Sequence, residues 1–233
     1  MFELISGKSP YKSPTDMGVN MAGNCIFDDE ACCKASKQEI IRRYYQALCE
    51  KRRTGSTKNN ISKLEILMKQ AEITPQDREV AVVALNKEKE TDNKPAVAIE
   101  LPDGKIVTGR TTDLLGASAA ALLNALKALG NIDDEVELIE KEAIEPIQTL
   151  KTNYLGSKNP RLHTDEILIA LSSTAAHNEN AKKAMGELTK LKGCDAHSTV
   201  LLSSVDETTF KKLGMQLTCE PKYDEDGRKY HKH

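Results

Sequence analysis

The sequence contains no tryptophan and lacks the signals of several protein classes. Three of its 233 residues are Phe and six are Tyr, so its core must be built mainly from Leu, Ile, Val and Ala. No apolar run approaches the roughly 20 residues that span a bilayer, and no secretion signal opens the chain. The formal net charge of −2 argues against a generally basic, nucleic-acid-binding surface. We expect a cytoplasmic protein that binds neither membrane nor nucleic acid.

The six cysteines show no spacing typical of a disulfide framework, and reduced thiols are expected in such a chain. Three well-known site signatures are also absent. They are the G-x-x-x-x-G-K-[ST] phosphate loop, the G-x-S-x-G nucleophile elbow and the H-E-x-x-H zinc helix. The sequence therefore names no cofactor.

The first part of the chain has a helical pattern. Acidic residues at 28–30 and basic residues at 51–53 have the order that the helix dipole favours, with apolar residues at helical spacing between them. A second helix is predicted around 62–72. A third should begin at the N-cap Thr74 and run towards Glu88, because Pro and an acidic residue follow the cap.

Strands alternate with helices in the second part. The predicted strands are Ala96–Leu101, Lys105–Thr108, Val136–Ile139, His197–Ser203 and Gln216–Cys219. We expect a mixed α/β fold, in which a helical N-terminal region precedes a layered α/β domain with a roughly five-stranded sheet. The predicted domain bounds are 1–92 for a polar site loop and the helical region, 95–221 for the α/β domain, and 222–233 for a polar tail.

A polar segment near the start, Tyr11–Asn20, has the composition of a binding loop. The side chains of Thr15 and Asn20 can hydrogen-bond a ligand, and Lys12 can neutralise an anion. Asp16 is a candidate for acid–base catalysis. An ordinary turn loop before the first helix accounts for the same residues, and residue types alone favour that alternative.

A second candidate site follows the predicted strand that ends at Thr108. The chain continues as Gly-Arg-Thr-Thr-Asp towards a helix that Ser118 is expected to cap. Ligands in layered α/β domains often lie beyond the carboxyl ends of strands, against helix N-termini. Arg110 can hold a carboxylate or phosphate by two hydrogen bonds, and Thr111 adds a hydroxyl. The end of an exposed hairpin explains these residues equally well.

A third candidate segment, KGCDAHST, enters a predicted strand. Cys194 and His197 are candidates for a catalytic pair, and Ser198 and Thr199 can hydrogen-bond a ligand. Together with Cys219, the first two could also bind zinc, but no fourth ligand is evident. We therefore predict no metal site. A buried thiol beside a hydrogen-bonded histidine is the plainer interpretation.

Long blocks of the sequence resemble a bacterial family of unknown function. The blocks are YKSPTDMGVN at 11–20, SKQEIIRRY at 36–44, ELPDGKIVTGR at 100–110, LLNALKALGNIDDEVELI at 122–139, EPIQTLKTNYLGS at 145–157 and LKGCDAHSTVLLS at 191–203. The family is DUF1846, also called UPF0371, and the resemblance extends from roughly Ser9 to Pro221. Its members are about twice as long as this chain. Their first half carries an α/β domain with a glycine-rich stretch that resembles a phosphate loop.

The resemblance implies that this chain is the C-terminal half of such a protein and that the N-terminal α/β half is its partner. We expect a nucleotide or another small anion to bind in a cleft that the two halves share. The residues expected to line it are Lys12, Thr15, Asp16, Asn20, Arg110, Thr111, His197 and Ser198. The place of Tyr11–Asn20 at the seam between the halves favours a binding loop over a turn.

Two other functions remain open. One is a non-enzymatic oligomerisation or regulatory module, and a homo-oligomer is the expected assembly. The other is a zinc-binding, hydrolase-like domain.

Overall fold

The computed structural model describes residues 28–55 and 60–224. The chain divides into two units, which are Met1–Tyr44 with Asn60–Arg78, and Tyr45–Asn59 with Glu79–His233. The predicted binding loop Tyr11–Asn20 lies outside the described residues. Within the described ranges, no helix has the length and apolar character needed to cross a membrane. The predicted domain bounds stay a prediction.

The first unit contains most of the long helix α1, Asp29–Thr54, and the helix α2, Ile61–Gln70. Asp28 begins α1, because its Oδ1 accepts a hydrogen bond from Ala31 N at 2.8 Å. The helix ends before Gly55, which has a φ of +67°. Both predicted helices are therefore present.

The third predicted helix is interrupted. A short 3₁₀ turn, Pro75–Asp77, follows Thr74, whose backbone N donates to Asp77 Oδ2 at 2.6 Å. Arg78 then adopts an extended conformation with φ −97° and ψ 94°, and α3 begins in the second unit as Glu79–Glu90. The prediction of one continuous helix from Thr74 was wrong, because the cap closes a separate single turn.

The second unit contains a four-stranded sheet in the order β2-β1-β3-β4. The strands are β1 Ala96–Glu100, β2 Ile106–Arg110, β3 Asp195–Ser198 and β4 Gln216–Cys219. β1 is antiparallel to both of its neighbours, and Val97 is opposite Gly109 of β2 and Ser198 of β3. β3 and β4 are parallel. As a result β2, β3 and β4 share one direction, and their carboxyl ends lie at the same edge of the sheet.

Helices cover both faces of this sheet, as the alternation of side chains along β1 requires. Val97 and Ile99 belong to the large core cluster that also contains residues of α4, Ala117–Leu129. Ala98 points to the other face and packs against Val80 and Ala84 of α3. This layering confirms the predicted mixed α/β fold.

The other elements complete the layer on the α4 side. They are α5 Lys141–Thr149, the π-helical turn Leu150–Tyr154, α6 Thr164–Thr174, α7 Glu179–Gly186, the 3₁₀ turn Glu187–Leu191 and α8 Ser204–Lys212. Their apolar residues join the same core, and Ile167, Leu171 and Phe210 are fully buried. Leu and Ala supply most of the packing, as expected from a chain with few aromatic residues.

The described part of the sheet has four strands rather than five, so the predicted strand Val136–Ile139 was wrong. Asp133 organises this segment as a turn, since Glu135 N donates to Asp133 Oδ1 at 2.8 Å and Val136 N donates to Asp133 O at 3.1 Å. Leu138 and Ile139 are nevertheless buried in the core. The apolar pattern predicted burial correctly but not the backbone conformation.

β3 is also shorter than the predicted strand His197–Ser203. The Ser198 hydroxyl donates to Val200 O at 2.7 Å and accepts from Val200 N at 3.3 Å, which turns the chain away from the sheet. Leu201 N then donates to Lys222 O at 2.7 Å. Residues 200–203 consequently form a wall beyond the carboxyl edge of the sheet, where the candidate site lies.

Candidate functional site

A cavity of about 290 Å³ lies where β2 and β3 end. Thr111, the first residue after β2, and Val200, the second after β3, both line it. Pro95, which precedes the antiparallel β1, lines it as well and accepts a hydrogen bond from Thr111 N at 2.9 Å. The location is the one that α/β sheets commonly use for ligands.

The N-terminus of α4 opens onto this cavity. Its N-cap is Gly116, which has no side chain to accept from the N–H groups of the first helical turn. Gly116 is held in place because its N donates to Leu162 O at 3.1 Å, and Leu162 N donates to Leu114 O at 2.9 Å. Gly116, Ala117 and Leu162 all line the cavity. The end of the helix is therefore fixed but not capped by a side chain.

Two hydroxyl groups lie at this helix end. Thr111 is 7% exposed and Ser118 is 2% exposed, and both line the cavity. Neither hydroxyl makes a hydrogen bond within the described residues. Ser118 Oγ would lie 3.9 Å from a Cβ atom placed on Gly116, so it is close to the N-cap. Both residues line the cavity, and their hydroxyls are therefore available to a ligand.

A histidine and a carboxylate form a second part of the cavity lining. His163 is the N-cap of α6 and Asp206 lies in the first turn of α8. The Asp206 carboxylate lies 3.0 Å from His163 Nδ1 and accepts hydrogen bonds from Ser203 Oγ at 2.8 Å and from Thr164 N and Oγ1, each at 2.9 Å. An ionised carboxylate only accepts hydrogen bonds, so Nδ1 carries the proton.

These contacts change the titration of both groups. The hydrogen bond to Asp206 is the main cause that raises the pKa of His163 above its usual value of 6.5, and it outweighs partial burial of the ring. Burial alone would raise the pKa of Asp206, but the hydrogen bond and the charge of His163 lower it below its usual value. A positive imidazolium beside a negative carboxylate is thus favoured. In the described part of the chain, His163 Nε2 makes no hydrogen bond.

A buried lysine fixes the backbone that leads to His163. Lys151 Nζ donates to Arg161 O and to Glu166 Oε2, both at 2.7 Å. The same Glu166 oxygen accepts from His163 N at 2.8 Å. This network holds the segment before α6 against the π-helical turn, and Arg161 itself lines the cavity.

The remaining lining is mostly apolar. Val200, Leu201 and Leu202 come from the segment after β3. Tyr223 and Asp224 follow β4 and also line the cavity, and Asp224 Oδ2 lies 4.0 Å from Arg161 Nη1. The cavity therefore has a polar wall at the helix N-termini and an apolar wall formed mainly by the segment after β3.

The structure places the predicted site residues in different environments. Thr111 lines the cavity, whereas Arg110, the last residue of β2, is exposed and is not among the lining residues. Ser198 and Thr199 are fully buried beside the cavity, where Ser198 turns the chain and Thr199 Oγ1 accepts from Ala96 N at 3.1 Å. Lys12, Thr15, Asp16 and Asn20 lie outside the described residues, so their roles stay a prediction.

His197 lies inside the sheet rather than at the cavity. It is fully buried, its Nδ1 is 2.8 Å from Thr218 Oγ1, and its Nε2 is 3.4 Å from Glu220 Oε1. The ring of Tyr45 meets it edge-on with centroids 4.9 Å apart. The structure thus gives His197 a packed environment, and its predicted acid–base role stays a prediction.

Cys194 faces the other side of the sheet from His197. Its side chain belongs to the α4-side core, whereas His197 is opposite Ala98, which faces α3. Burial raises the pKa of Cys194 above its usual value, which disfavours the reactive thiolate. Among the described residues, no group of three or more His, Cys, Asp or Glu is placed to hold a metal ion. Cys194, His197 and Cys219 are accordingly not gathered into a zinc site.

Sequence reasoning missed His163, Asp206 and Arg161. It expected Ser118 to cap α4, which was wrong because the N-cap is Gly116 and Ser118 lies inside the helix. The sequence does carry a signal for His163 and Asp206. His163 directly precedes α6, and Ser203-x-x-Asp206 has the spacing of an N-terminal cap at the start of α8. Nothing in the sequence, however, pairs residue 163 with residue 206. That contact depends on how α6 and α8 meet.

Family models match nearly the whole chain. The model described as "Domain of unknown function DUF1846, C-terminal" matches residues 76–228, and the one described as "Domain of unknown function DUF1846, N-terminal" matches residues 1–72. The chain belongs to the DUF1846 family. Its first part matches the N-terminal model, so the chain contains more than the C-terminal domain.

Curated relatives carry the family name UPF0371. The chain is 55% identical over 223 residues to a "UPF0371 protein" of Corynebacterium glutamicum (strain R), with 96% of this chain and 45% of the relative covered. A "UPF0371 protein" of Streptococcus pneumoniae (strain Hungary19A-6) is 54% identical over 226 residues, with 97% and 46% covered. The chain thus spans less than half the length of these relatives. DUF1846 is a family of unknown function, and the predicted partners, a homo-oligomer and the other part of the family's chain, stay predictions.

Proposed function

We propose that this member of the DUF1846 family binds a small oxyanion, a phosphoryl or carboxylate group, in the cavity at the carboxyl edge of the sheet. The observation that carries the proposal is the pair of buried hydroxyls of Thr111 and Ser118, which have no hydrogen-bond partner among the described residues. A ligand oxygen in the cavity would accept hydrogen bonds from these hydroxyls.

The electrostatics of the cavity support an anion. The first turn of α4 presents N–H groups and the positive end of the helix dipole. His163 adds an imidazolium whose Nε2 can donate, and Arg161 adds a guanidinium to the lining. The acidic residues of the lining are engaged by the protein, since Asp206 accepts four contacts and Asp224 lies near Arg161.

The same proposal covers the wider site. A nucleotide is one molecule that carries such a group, and the predicted loop residues Lys12, Thr15, Asp16 and Asn20 would add charge and hydrogen bonds to it. The remaining length of a full-length relative would then close the cleft. These features extend the proposal and are tested separately from the cavity.

Inorganic phosphate is the first probe. A ligand that binds only the folded state stabilises it, by about 2.7 kcal/mol when its concentration is 100 times its dissociation constant. We expect phosphate to raise the melting temperature of the full 233-residue chain in a saturable way, and to give measurable heat in isothermal titration calorimetry. Sodium chloride at matched ionic strength is the control. No saturable effect of phosphate would contradict the proposal.

A substitution locates the binding site. Ser118→Ala removes one donor to the anion, and hydrogen bonds to charged groups contribute about 1.5–3 kcal/mol, which corresponds to a tenfold or larger loss of phosphate affinity. The matched control is Ser172→Ala, an exposed serine in α6. We expect the control to bind phosphate as the unmodified chain does. Equal affinities for both variants would place the anion elsewhere.

A further inference from the structure

The cavity has more apolar lining than a free oxyanion needs. Val200 and Leu201 are 7% and 8% exposed, and Leu202 is half-buried beside them. All three line the cavity together with Leu162 and Pro95. A phosphate ion has no apolar surface that could pack against these side chains.

The size of the cavity agrees with a larger ligand. At about 290 Å³, it is near the lower end of the range of roughly 300–1,000 Å³ that small-molecule sites occupy. A single phosphoryl or carboxylate group fills a small part of this space. The rest is bounded by the apolar residues after β3 and by the side chain of Tyr223.

Tyr223 gives the apolar side an aromatic surface that is held in place. The guanidinium carbon of Arg52 lies 5.6 Å from the centre of the Tyr223 ring, a distance at which a cation attracts an aromatic face. The hydrogen bond from Leu201 N to Lys222 O joins the two apolar segments at 2.7 Å. A flat ring can pack well against such a wall, because offset and edge-on aromatic contacts are favourable.

From these two unlike walls, we infer that the ligand is an amphipathic molecule, an oxyanion joined to an apolar ring of about the size of a benzene ring. The inference rests on the proposed function, because it places the anionic group at Thr111, Ser118 and His163. It adds that the apolar part of the ligand contacts Val200, Leu202 and Tyr223.

The test compares ligands that carry the head, the ring or both. Inorganic phosphate, phenyl phosphate and phenol are titrated into the full chain in a calorimeter at pH 6.5, with acetate and benzoate as the carboxylate pair. We expect phenyl phosphate to bind at least tenfold more tightly than phosphate, and phenol to bind more weakly than phenyl phosphate. Comparison of the two pairs shows which oxyanion the site prefers.

The Leu202→Ala substitution assigns the gain to the apolar wall. We expect this variant to lose several-fold in phenyl phosphate affinity and to keep its phosphate affinity within twofold. Leu155→Ala, at a site 73% exposed and outside the cavity lining, is the matched control and should change neither affinity. The titrations of the unmodified chain test the inference even if the Leu202 variant does not fold.

The outcomes test the amphipathic ligand and the anion site separately. Equal affinity for phosphate and phenyl phosphate would overturn the amphipathic ligand and leave the anion site standing. Binding of phenyl phosphate no tighter than that of phenol would overturn the anion site. Absence of binding by phosphate, phenyl phosphate, acetate and benzoate would overturn both.

Discussion

The environments of His163 and His197 differ in burial and in hydrogen bonding. His197 lies within β3, fully buried, between Thr218, Glu220 and Tyr45. His163 lies just before α6, and its side chain is 22% exposed. One of its nitrogens contacts Asp206, and the other makes no hydrogen bond in the described ranges.

The position of each histidine in the fold explains this difference. A central strand is covered by a layer of helices on each face of the sheet. A side chain in its middle therefore contacts other protein groups and not a cavity. A residue that caps a helix at the sheet edge keeps one side open to a cavity. We therefore expect substitutions in the interior to change stability and substitutions at the cavity to change binding.

The largest effect should come from the interior substitution Gly109→Ala. A Cβ atom at Gly109 would lie 2.1 Å from Ala121 N, which is backbone of α4 and cannot move aside locally. Overpacking usually costs about 1–3 kcal/mol, and the backbone clash puts Gly109→Ala at about 3 kcal/mol or more. Urea unfolding followed by circular dichroism measures it. Gly186→Ala, where nothing lies within 4 Å of the added atom, should be neutral or slightly stabilising, and equal losses in the two variants would contradict the packing.

A smaller effect is expected when Asp206 is replaced. Asp206→Asn removes the charge that His163 faces, and a hydrogen bond to a charged group contributes about 1.5–3 kcal/mol. We expect the free energy of unfolding to fall by about 2 kcal/mol at pH 6. Asp92→Asn, at an exposed position, is the control and should leave it unchanged.

The same pair of proteins tests a pH dependence. The folded-state pKa of His163 is raised, so its stabilising contribution is complete below about 6.5 and is lost as the pH rises through the folded-state pKa. The stability gap between the unmodified chain and Asp206→Asn should therefore narrow from pH 6 to pH 9. A stability gap that stays constant or widens over this interval would show that Asp206 does not stabilise the protonated form of His163.

The smallest effect on stability is expected at the cavity hydroxyls. Thr111→Val keeps the shape of the side chain and removes a hydroxyl that has no partner in the described part of the chain. We expect the free energy of unfolding to change by less than about 0.5 kcal/mol, because no protein hydrogen bond is lost. Phosphate affinity should nevertheless fall. A loss of stability above 1 kcal/mol would mean that the hydroxyl has a structural partner.

Local patterns in the sequence predicted the two helices of the first unit and the layered fold. The charge order of α1 and the apolar run of β1 are local, and both predicted elements are confirmed. The segment 136–139 has strand-like apolar residues, but a turn made by Asp133 controls its backbone. An apolar pattern reports which residues are buried and does not by itself distinguish a strand from a buried turn.

The site was predictable in part, because only some of its residues carry a local signal in the sequence. Thr111 could be chosen because it follows a strand and precedes a helix, and the structure places it in the cavity lining. His197 has the residue type of a catalytic group, but its neighbours Thr218 and Tyr45 are distant in sequence. His163 and Asp206 form a pair only when α6 and α8 meet. Long-range packing, which one sequence does not display, decides which polar residues line the cavity.

Histidine side-chain NMR during a phosphate titration tests the central claim most directly. The chain has five histidines, and His163→Gln assigns the resonance of interest. We predict that phosphate shifts the His163 ring ¹⁵N signals in a saturable way and raises the apparent pKa of this ring, because an anion favours the imidazolium. The His197 signals should stay unchanged. A His163 resonance that does not respond at high phosphate would contradict an anion site at this cavity.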